Sequence, residues 1–498
     1  MGSSKKIVSG FIWNTITNIV NAIYGFISVP ILINHFGKAE YGLIGLAMSI
    51  NIYMRLMDLG FNSTNVRFFS TWISQEKYDR LTKGFQSSLS LYSMIGFINA
   101  IILLVIAAFS NKVFNVSLEQ DVILKNLFYI LSVSAFCSWF SSCFDQIIKA
   151  TENIAWIQKR TLLTKILMIG VLFATVYGDL TIEWYYALTC LATLAIVPLS
   201  IKKIKAELPF VKLIPKWDKV TIKEMLPYSI NIFSFSLFQF SFYNLRPVFL
   251  GMQGSIESVA DYRILNGIIS IVTMLSGAFT GILLPSSAKV VANKNIDAYY
   301  RLAYDGTKYI TILISFCCFG MMTVGRDVIT LYVGESYLYL IPWFNLWLLC
   351  TLGTHNQAIS SLILAGSDIR AISYNSVVAS ILGLLSTWFL IPYFQIGGVC
   401  IAFAIYIIIQ IGFYYSYYWP VKMKIDSKKI FFCSFLPYVS LGATLYLIET
   451  KLIVLDLDSS WLSFFVKGGL FSIIFALVVL LTLNNRDKQF IMSNIKRK

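Results

Sequence analysis

Long apolar runs alternate with short polar stretches along the whole chain. The first two runs, residues 8–33 and 41–62, are each about 20 residues or longer, which is the length a helix needs to cross a hydrocarbon core of about 30 Å. Similar runs recur as far as residue 484, and the longest loop between them has only about twenty residues. The pattern predicts an all-α, polytopic membrane protein without a large soluble domain.

We predict about fourteen transmembrane helices. The predicted spans are 8–33, 41–62, 84–109, 122–148, 160–178, 182–201, 225–249, 258–285, 304–325, 338–365, 370–392, 396–419, 430–449 and 462–484. Loops after even-numbered spans are rich in lysine and arginine, whereas loops after odd-numbered spans are short and neutral or acidic. Because positively charged loops stay in the cytoplasm, both termini are expected there. The N-terminal run lacks a cleavage site, so we expect it to remain as the first helix.

The chain also contains an internal repeat with an offset of about 221 residues. Ala39-Glu40-Tyr41 aligns with Ala260-Asp261-Tyr262, and both motifs lie where a span begins. An even number of spans separates the copies, so the two halves should have the same orientation. The predicted divisions are a six-helix N-terminal lobe at 1–201, a basic cytoplasmic linker at 202–223, a six-helix C-terminal lobe at 224–421, and two additional helices with a basic cytoplasmic tail at 422–498.

Composition excludes several classes of protein. With 57% hydrophobic and 13% charged residues, the chain of 498 residues has more apolar surface than one soluble core could bury. The net charge of +15 resides in alternate short loops, which favours a topology signal over nucleic-acid binding. All eight cysteines fall in apolar runs without metal-ligand spacing. We therefore predict no metal, no cofactor and no nucleic-acid partner.

Polar side chains inside the spans are the first functional signal. Asn14, Asn18 and Asn21 are spaced by four and three residues, so they share one face of the first helix. Asn266 belongs to a similar polar stripe on the eighth span. In lipid such groups need partners or water, so they either line a wet, substrate-binding cavity or hold helices together.

Three arginines inside the spans are a stronger signal. Arg55 lies in the inner half of span 2, and Arg246 and Arg263 lie in the outer half, near the ends of spans 7 and 8. An arginine facing lipid is costly, so each should line a pathway or pair with an acid. The planar guanidinium group is suited to bidentate phosphate binding, and we assign all three as candidate substrate-binding residues.

If the protein is coupled to a proton or sodium gradient, the candidate ion-coupling residues are Asp58, Asp145 and Asp261. Structural roles remain open for each. Asp58 could pair with Arg55 on one helix face, Asp261 could neutralise Arg246 or Arg263, and Asp145 could be an interfacial anchor.

Enzymatic motifs are missing from the sequence. It contains no phosphate-cradling glycine-rich loop, no HExxH motif and no nucleophile elbow. We predict that the protein is not an enzyme, and that an ion gradient or the gradient of the substrate itself supplies the energy.

The first hairpin resembles a known family. Gly37, Ala39-Glu40-Tyr41-Gly42-Leu43 and Asp58-Leu59-Gly60 are similar to the opening of bacterial polysaccharide flippases of the Wzx type, in the multidrug/oligosaccharidyl-lipid/polysaccharide exporter superfamily. The resemblance implies an alternating-access carrier in the cytoplasmic (inner) membrane. It would move undecaprenyl-diphosphate-linked oligosaccharide repeat units to the outer leaflet for O-antigen, capsule or exopolysaccharide synthesis, alongside polymerase and chain-length proteins.

Residues Arg55, Arg246 and Arg263 match the cationic lining that this resemblance implies. The extra pair of helices resembles the fourteen-span lipid II flippases, in which the last helices form a groove for the lipid tail. Two alternatives stay open. A drug or cation exporter of the same superfamily would favour carboxylates and aromatic residues in its cavity. A membrane-embedded glycan polymerase or ligase would usually carry a large outer loop.

Overall fold

The computed structural model describes residues 3–366, 370–452 and 460–482. In these ranges the chain forms helices joined by short turns, and no strand occurs there. The chain divides into two compact units, one made of residues 1–267 with 387–396 and the other of 268–386 with 397–498. The boundary thus falls at Gly267 and not in the predicted linker, and the assignment of two six-helix lobes stays a prediction.

Within the described residues of the first unit there are ten complete helices. They are α1 (Ser3–Phe36), α2 (Lys38–Met54), α3 (Phe61–Ser74), α4 (Tyr78–Ala108), α5 (Ser110–Val113), α6 (Leu118–Ala150), α7 (Ile154–Tyr177), α8 (Ile182–Leu194), α9 (Val197–Glu207) and α10 (Lys219–Gln253). Its core is aromatic, with Phe69, Phe85 and Phe144 fully buried among α3, α4 and α6. This packing fixes the helices that carry the polar cavity described below.

A sharp break separates α2 from α3, where the sequence predicted one span at 41–62. A 3₁₀ turn at Arg55–Asp58 follows α2, and Leu59 and Gly60 then adopt left-handed φ angles of 50° and 81°. A left-handed residue cannot continue a right-handed helix, and glycine adopts this conformation at little cost. The chain bends by 47° before α3 begins.

The basic segment between α9 and α10 is packed against the first unit. Leu208 and Val211 are buried in its core. On α4, the Gln86 side chain donates a hydrogen bond to the Ile214 carbonyl at 3.1 Å, and the Ser87 hydroxyl accepts one from the Asp218 backbone at 3.0 Å. The segment between α9 and α10 is therefore packed against the first unit and is not a flexible linker.

The second unit contains the remaining helices, with α11 and α16 crossing the boundary. They are α11 (Ile256–Ala292), α12 (Ile296–Thr323), α13 (Gly325–Val333), α14 (Ile341–Thr351), α15 (Gln357–Gly366), α16 (Arg370–Phe394), α17 (Ile396–Phe413), α18 (Ser427–Lys429), α19 (Leu436–Leu447) and α20 (Ser460–Thr482). Short 3₁₀ segments occur at Glu335–Leu340 and Leu352–Asn356, and π-helical segments at Tyr414–Met423, Ile430–Phe435 and Ile448–Leu452. The predicted basic tail at 483–498 lies outside the described residues.

Eleven helices in the described ranges are long and apolar enough to cross a membrane, or up to twelve when the bent pair α2–α3 is counted as one span. The count of about fourteen is therefore not confirmed. Predicted span 225–249 lies within α10, which is not among the eleven. Predicted span 338–365 is divided because the 3₁₀ turn Leu352–Asn356 separates α14 from α15, and both helices are too short to cross.

Candidate functional site

A polar cavity of about 760 Å³ lies in the first unit. Side chains from α2, α3, α4, α6, α7, α8, α10 and α11 and from the 3₁₀ turn line it. Its charged lining residues are Arg55, Asp58, Asp145, Lys149 and Arg263. Within an apolar bundle, such a group of charges marks a pathway or binding site for a polar substrate.

Arg55 reaches this cavity because α2 ends there. It is the first residue of the 3₁₀ turn, and its side chain is exposed. Asp58 lies three residues later but is engaged elsewhere. One of its carboxylate oxygens accepts a hydrogen bond from the Tyr92 hydroxyl, and the other accepts one from the Asn62 backbone amide at 2.9 Å. Tyr92 and the Asn62 backbone, and not an ion pair with Arg55, therefore hold Asp58 in place.

The Asp58 carboxylate ends a directed chain of hydrogen bonds through α3, α4 and α6. Ser88 donates to the Asn65 side-chain carbonyl at 2.9 Å, and the Asn65 amide donates to Gln146 at 2.6 Å. The Gln146 amide then donates to the Tyr92 oxygen at 2.7 Å, and Tyr92 donates to Asp58. Buried polar chains of this kind are stabilising only when every member is satisfied, so this one fixes the Asp58 carboxylate.

Arg263 enters the same cavity from α11. Its Nε donates a hydrogen bond to the Tyr41 hydroxyl at 3.2 Å, and its guanidinium carbon lies 5.4 Å from the centre of the Tyr41 ring. Gly45 makes room for this side chain, because a Cβ atom there would lie only 2.4 Å from Cδ of Arg263. Close approach of α2 and α11 thus positions the second arginine.

Asp145 lies on the cavity wall with its charge compensated. Arg160 of α7 binds it in a bidentate manner, with nitrogen–oxygen distances of 2.5 and 2.7 Å, and also donates to the Ser200 hydroxyl at 2.6 Å. A forked pair of this kind is a strong, oriented contact. Arg160 was not singled out in the sequence, where it reads as a loop charge.

Arg246 and Asp261 are not among the residues that line this cavity. Arg246 is buried, and its guanidinium carbon lies 5.1–5.7 Å from the rings of Phe242, Tyr243 and Tyr262. Asp261 forms an ion pair with Lys38 at 2.7 Å. Both residues therefore serve contacts within the helix bundle in this structure.

The four candidate asparagines also lie away from the cavity lining. Asn14 is exposed and accepts a hydrogen bond from Gln158 of α7 at 2.9 Å. Asn18 and Asn266 are exposed, and Asn21 is half-buried. The contact of Asn14 with Gln158 shows that Asn14 takes part in the packing of α1 against α7, and the shared substrate-facing role of the asparagines stays a prediction.

A serine stripe on α6 was not among the predicted site residues. Ser134, Ser138 and Ser142 recur every fourth residue, followed by Gln146, and all four line the cavity. Serine is common in membrane helices, so only its period distinguishes this stripe in the sequence. Tyr92 had no comparable signal, since its partners lie in other helices.

A bundle of apolar helices enclosing a charged, partly open cavity is the architecture of a multi-pass membrane transport protein. Residues 7–291, more than half of the chain, match the model of the polysaccharide biosynthesis protein family. The chain belongs to this family, within the multidrug/oligosaccharidyl-lipid/polysaccharide exporter superfamily. The Wzx type in particular stays a prediction. No curated protein matches the sequence.

Solved structures share this fold. A lipid II flippase MurJ in an inward closed conformation superposes with a TM-score of 0.71 at 14% identity, covering 94% of this chain and 99% of that one. An inward-facing multidrug resistance MATE family transporter gives 0.60 at 14% identity, covering 78% and 92%. The MATE multidrug transporter DinF-BH gives 0.57 at 17% identity, covering 83% and 96%. At these identities the likeness concerns the fold, and it confirms the predicted all-helical, multi-pass membrane architecture.

Proposed function

We propose that this protein flips undecaprenyl-diphosphate-linked oligosaccharide repeat units from the inner to the outer leaflet of the cytoplasmic membrane. The observation that carries the proposal is the presence of Arg55 and Arg263 in one cavity with serine, asparagine and tyrosine side chains. Guanidinium groups bind the oxygens of a diphosphate in a forked geometry, and the neutral polar groups suit sugar hydroxyls. Membership of a polysaccharide biosynthesis family supports the same cargo.

The remaining features of the proposal follow from charge and topology. The basic loops favour cytoplasmic termini. Among the three candidate ion-coupling residues, Asp58 is the best supported, because its hydrogen-bond donors are neutral groups whereas Asp145 and Asp261 are paired with Arg160 and Lys38. A change of charge at Asp58 would alter the potential beside Arg55 directly.

Translocation in proteoliposomes tests the function. A fluorescent polyprenyl-diphosphate-linked oligosaccharide is placed in one leaflet, and its arrival in the other is followed with an impermeant lectin. The variants are Arg55→Gln and Arg263→Gln, and the matched control is Arg67→Gln, an arginine of the same unit that stacks on Tyr228 at 4.0 Å outside the cavity. A hydrogen bond to a charged group contributes about 1.5–3 kcal/mol, so each cavity variant should slow flipping by about ten- to a hundredfold.

The control should retain the parent rate, and all variants should elute as the parent does from a sizing column. If the parent moves no lipid-linked glycan but lengthens or transfers it, the protein is an enzyme and the proposal fails. Equal rates for the parent and both cavity variants would leave flipping intact but remove the cationic path.

A further inference from the structure

The second unit contains a separate groove of about 630 Å³. Residues of α12, of the segment 429–444 and of α20 line it. The charged lining residues are Asp305, Lys308 and Lys429. None of the candidate residues from the sequence analysis lies in this groove, so it needs its own explanation.

Hydrogen bonds fix α12 against the start of the segment 427–451. The Tyr304 hydroxyl accepts a hydrogen bond from the Asp426 backbone amide at 3.0 Å, and the Tyr304 carbonyl accepts one from the Ser434 hydroxyl at 3.0 Å. Lys308 follows Tyr304 by about one helical turn. The position of Lys308 along α12 is therefore fixed relative to Lys429, which lies near the start of the segment 427–451.

Lys429 is turned toward α12 across this junction. Its ammonium nitrogen lies 4.5 Å from the centre of the Tyr304 ring, a cation–π distance. A lysine at the end of a membrane helix would otherwise extend toward bulk water. Lys308 and Lys429 both line the groove, so both contribute positive charge to its lining.

The rest of the groove has the character of a lipid site. Pro437, Leu441 and Val478 supply apolar surface, while Ser434 and Ser440 supply hydroxyl groups. Two lysines and one aspartate give the lining a net charge of +1. A phosphodiester carries one negative charge, so the lining is complementary to one such group with a hydrocarbon chain attached.

We propose that this groove binds an anionic phospholipid of the bilayer, with the phosphodiester between Lys308 and Lys429 and an acyl chain along Pro437 and Leu441. Basic pockets between membrane helices on the cytoplasmic side recognise such head groups, and the adjoining loop carries two further lysines, Lys422 and Lys424. The cargo also carries phosphate, but a bilayer phospholipid is abundant at this surface and needs only one phosphodiester contact.

Lipid titration of the detergent-purified protein by native mass spectrometry tests the assignment without any cargo or transport. The probes are phosphatidylglycerol and phosphatidylcholine with identical chains. The double variant Lys308→Gln/Lys429→Gln should bind phosphatidylglycerol about thirtyfold more weakly, at roughly fivefold per lysine. Lys428→Gln, an exposed neighbour outside the groove, should match the parent.

A second variant keeps the test decisive if the double variant is poorly folded. Asp305→Asn removes the negative charge from the lining and should strengthen phosphatidylglycerol binding several-fold. Equal binding of the two phospholipids by the parent would overturn the proposal, as would an unchanged affinity in both groove variants. Displacement of phosphatidylglycerol by equimolar undecaprenyl phosphate would assign the groove to the cargo instead. Because transport is not measured, the result is independent of whether the protein flips glycans.

Discussion

The two cavities differ in the cations they use and in how those cations are held. In the first unit, Arg263 donates a hydrogen bond to Tyr41, and Asp58, three residues after Arg55, is bonded to Tyr92. In the groove of the second unit, Lys429 is the last residue of α18, and its ammonium group lies over the Tyr304 ring. The guanidinium group of arginine binds an anion with a defined, forked geometry, whereas lysine supplies a point charge with little directional demand. We therefore expect selective cargo binding in one cavity and tolerant lipid binding in the other.

Exchanging arginine for lysine, or lysine for arginine, should have the most different effects in the two cavities. The double variant Arg55→Lys/Arg263→Lys keeps the charge but loses the fork, so flipping should fall about a hundredfold, at one decade per lost hydrogen bond. In the groove, Lys308→Arg/Lys429→Arg should alter phosphatidylglycerol affinity by less than about twofold. The initial flipping rate and the lipid titration measure the two effects. Full flipping activity with lysines in the cavity would contradict the assigned role of the guanidinium groups.

The hydrogen bond from Tyr92 should matter next. Tyr92→Phe keeps the buried ring but frees one oxygen of Asp58, which can then approach Arg55 three residues earlier. We expect about fivefold weaker binding of the lipid-linked diphosphate to the purified protein, measured by thermophoresis.

Removing the freed charge provides the control. Tyr92→Phe combined with Asp58→Asn should regain most of the parent affinity, because no carboxylate remains to neutralise Arg55. If the combined variant binds no better than Tyr92→Phe alone, Tyr92 supports the fold and does not position the charge.

The smallest effect should come from the contact between α2 and α11. Gly45→Ala introduces a methyl group 2.4 Å from Cδ of Arg263, so the arginine side chain must shift, which should weaken its hydrogen bond to Tyr41. Weakening the hydrogen bond to Tyr41 by about 0.5 kcal/mol should slow flipping about twofold. Gly25→Ala in α1 is the matched control, since nothing lies within 4 Å of its added methyl group. An unaltered rate for Gly45→Ala would show that the position of Arg263 is not critical.

Part of the candidate site could be predicted from the sequence because charged residues are rare in apolar spans. Arg55, Asp58, Asp145 and Arg263 therefore stood out, and the structure brings all four to one cavity. Arg246 was equally conspicuous, but a sequence does not reveal that aromatic rings surround it. The position of a residue in a predicted helix gives the helix face on which it lies and its depth in the membrane. Which residues contact it there depends on packing between segments that are distant in the sequence.

The break after α2 shows the same limit for the fold. The sequence predicted no interruption here, because the left-handed conformation of Leu59 has no signal in the sequence. The hydropathy of residues 41–62 is continuous, and so predicted one straight span. The 47° bend arises from two adjacent left-handed residues, which hydropathy does not measure.

The docked segment between α9 and α10 constrains how the chain can be altered. Leu208 and Val211 occupy the core, and Ile214 accepts a hydrogen bond from Gln86. An insertion here would have to expel those side chains or bulge around them, so the length of this connection is set by burial and not by the distance it spans. Epitope tags and fluorescent fusions should consequently be tolerated poorly between residues 208 and 218, despite the seven lysines that make residues 202–223 look like an exposed surface loop.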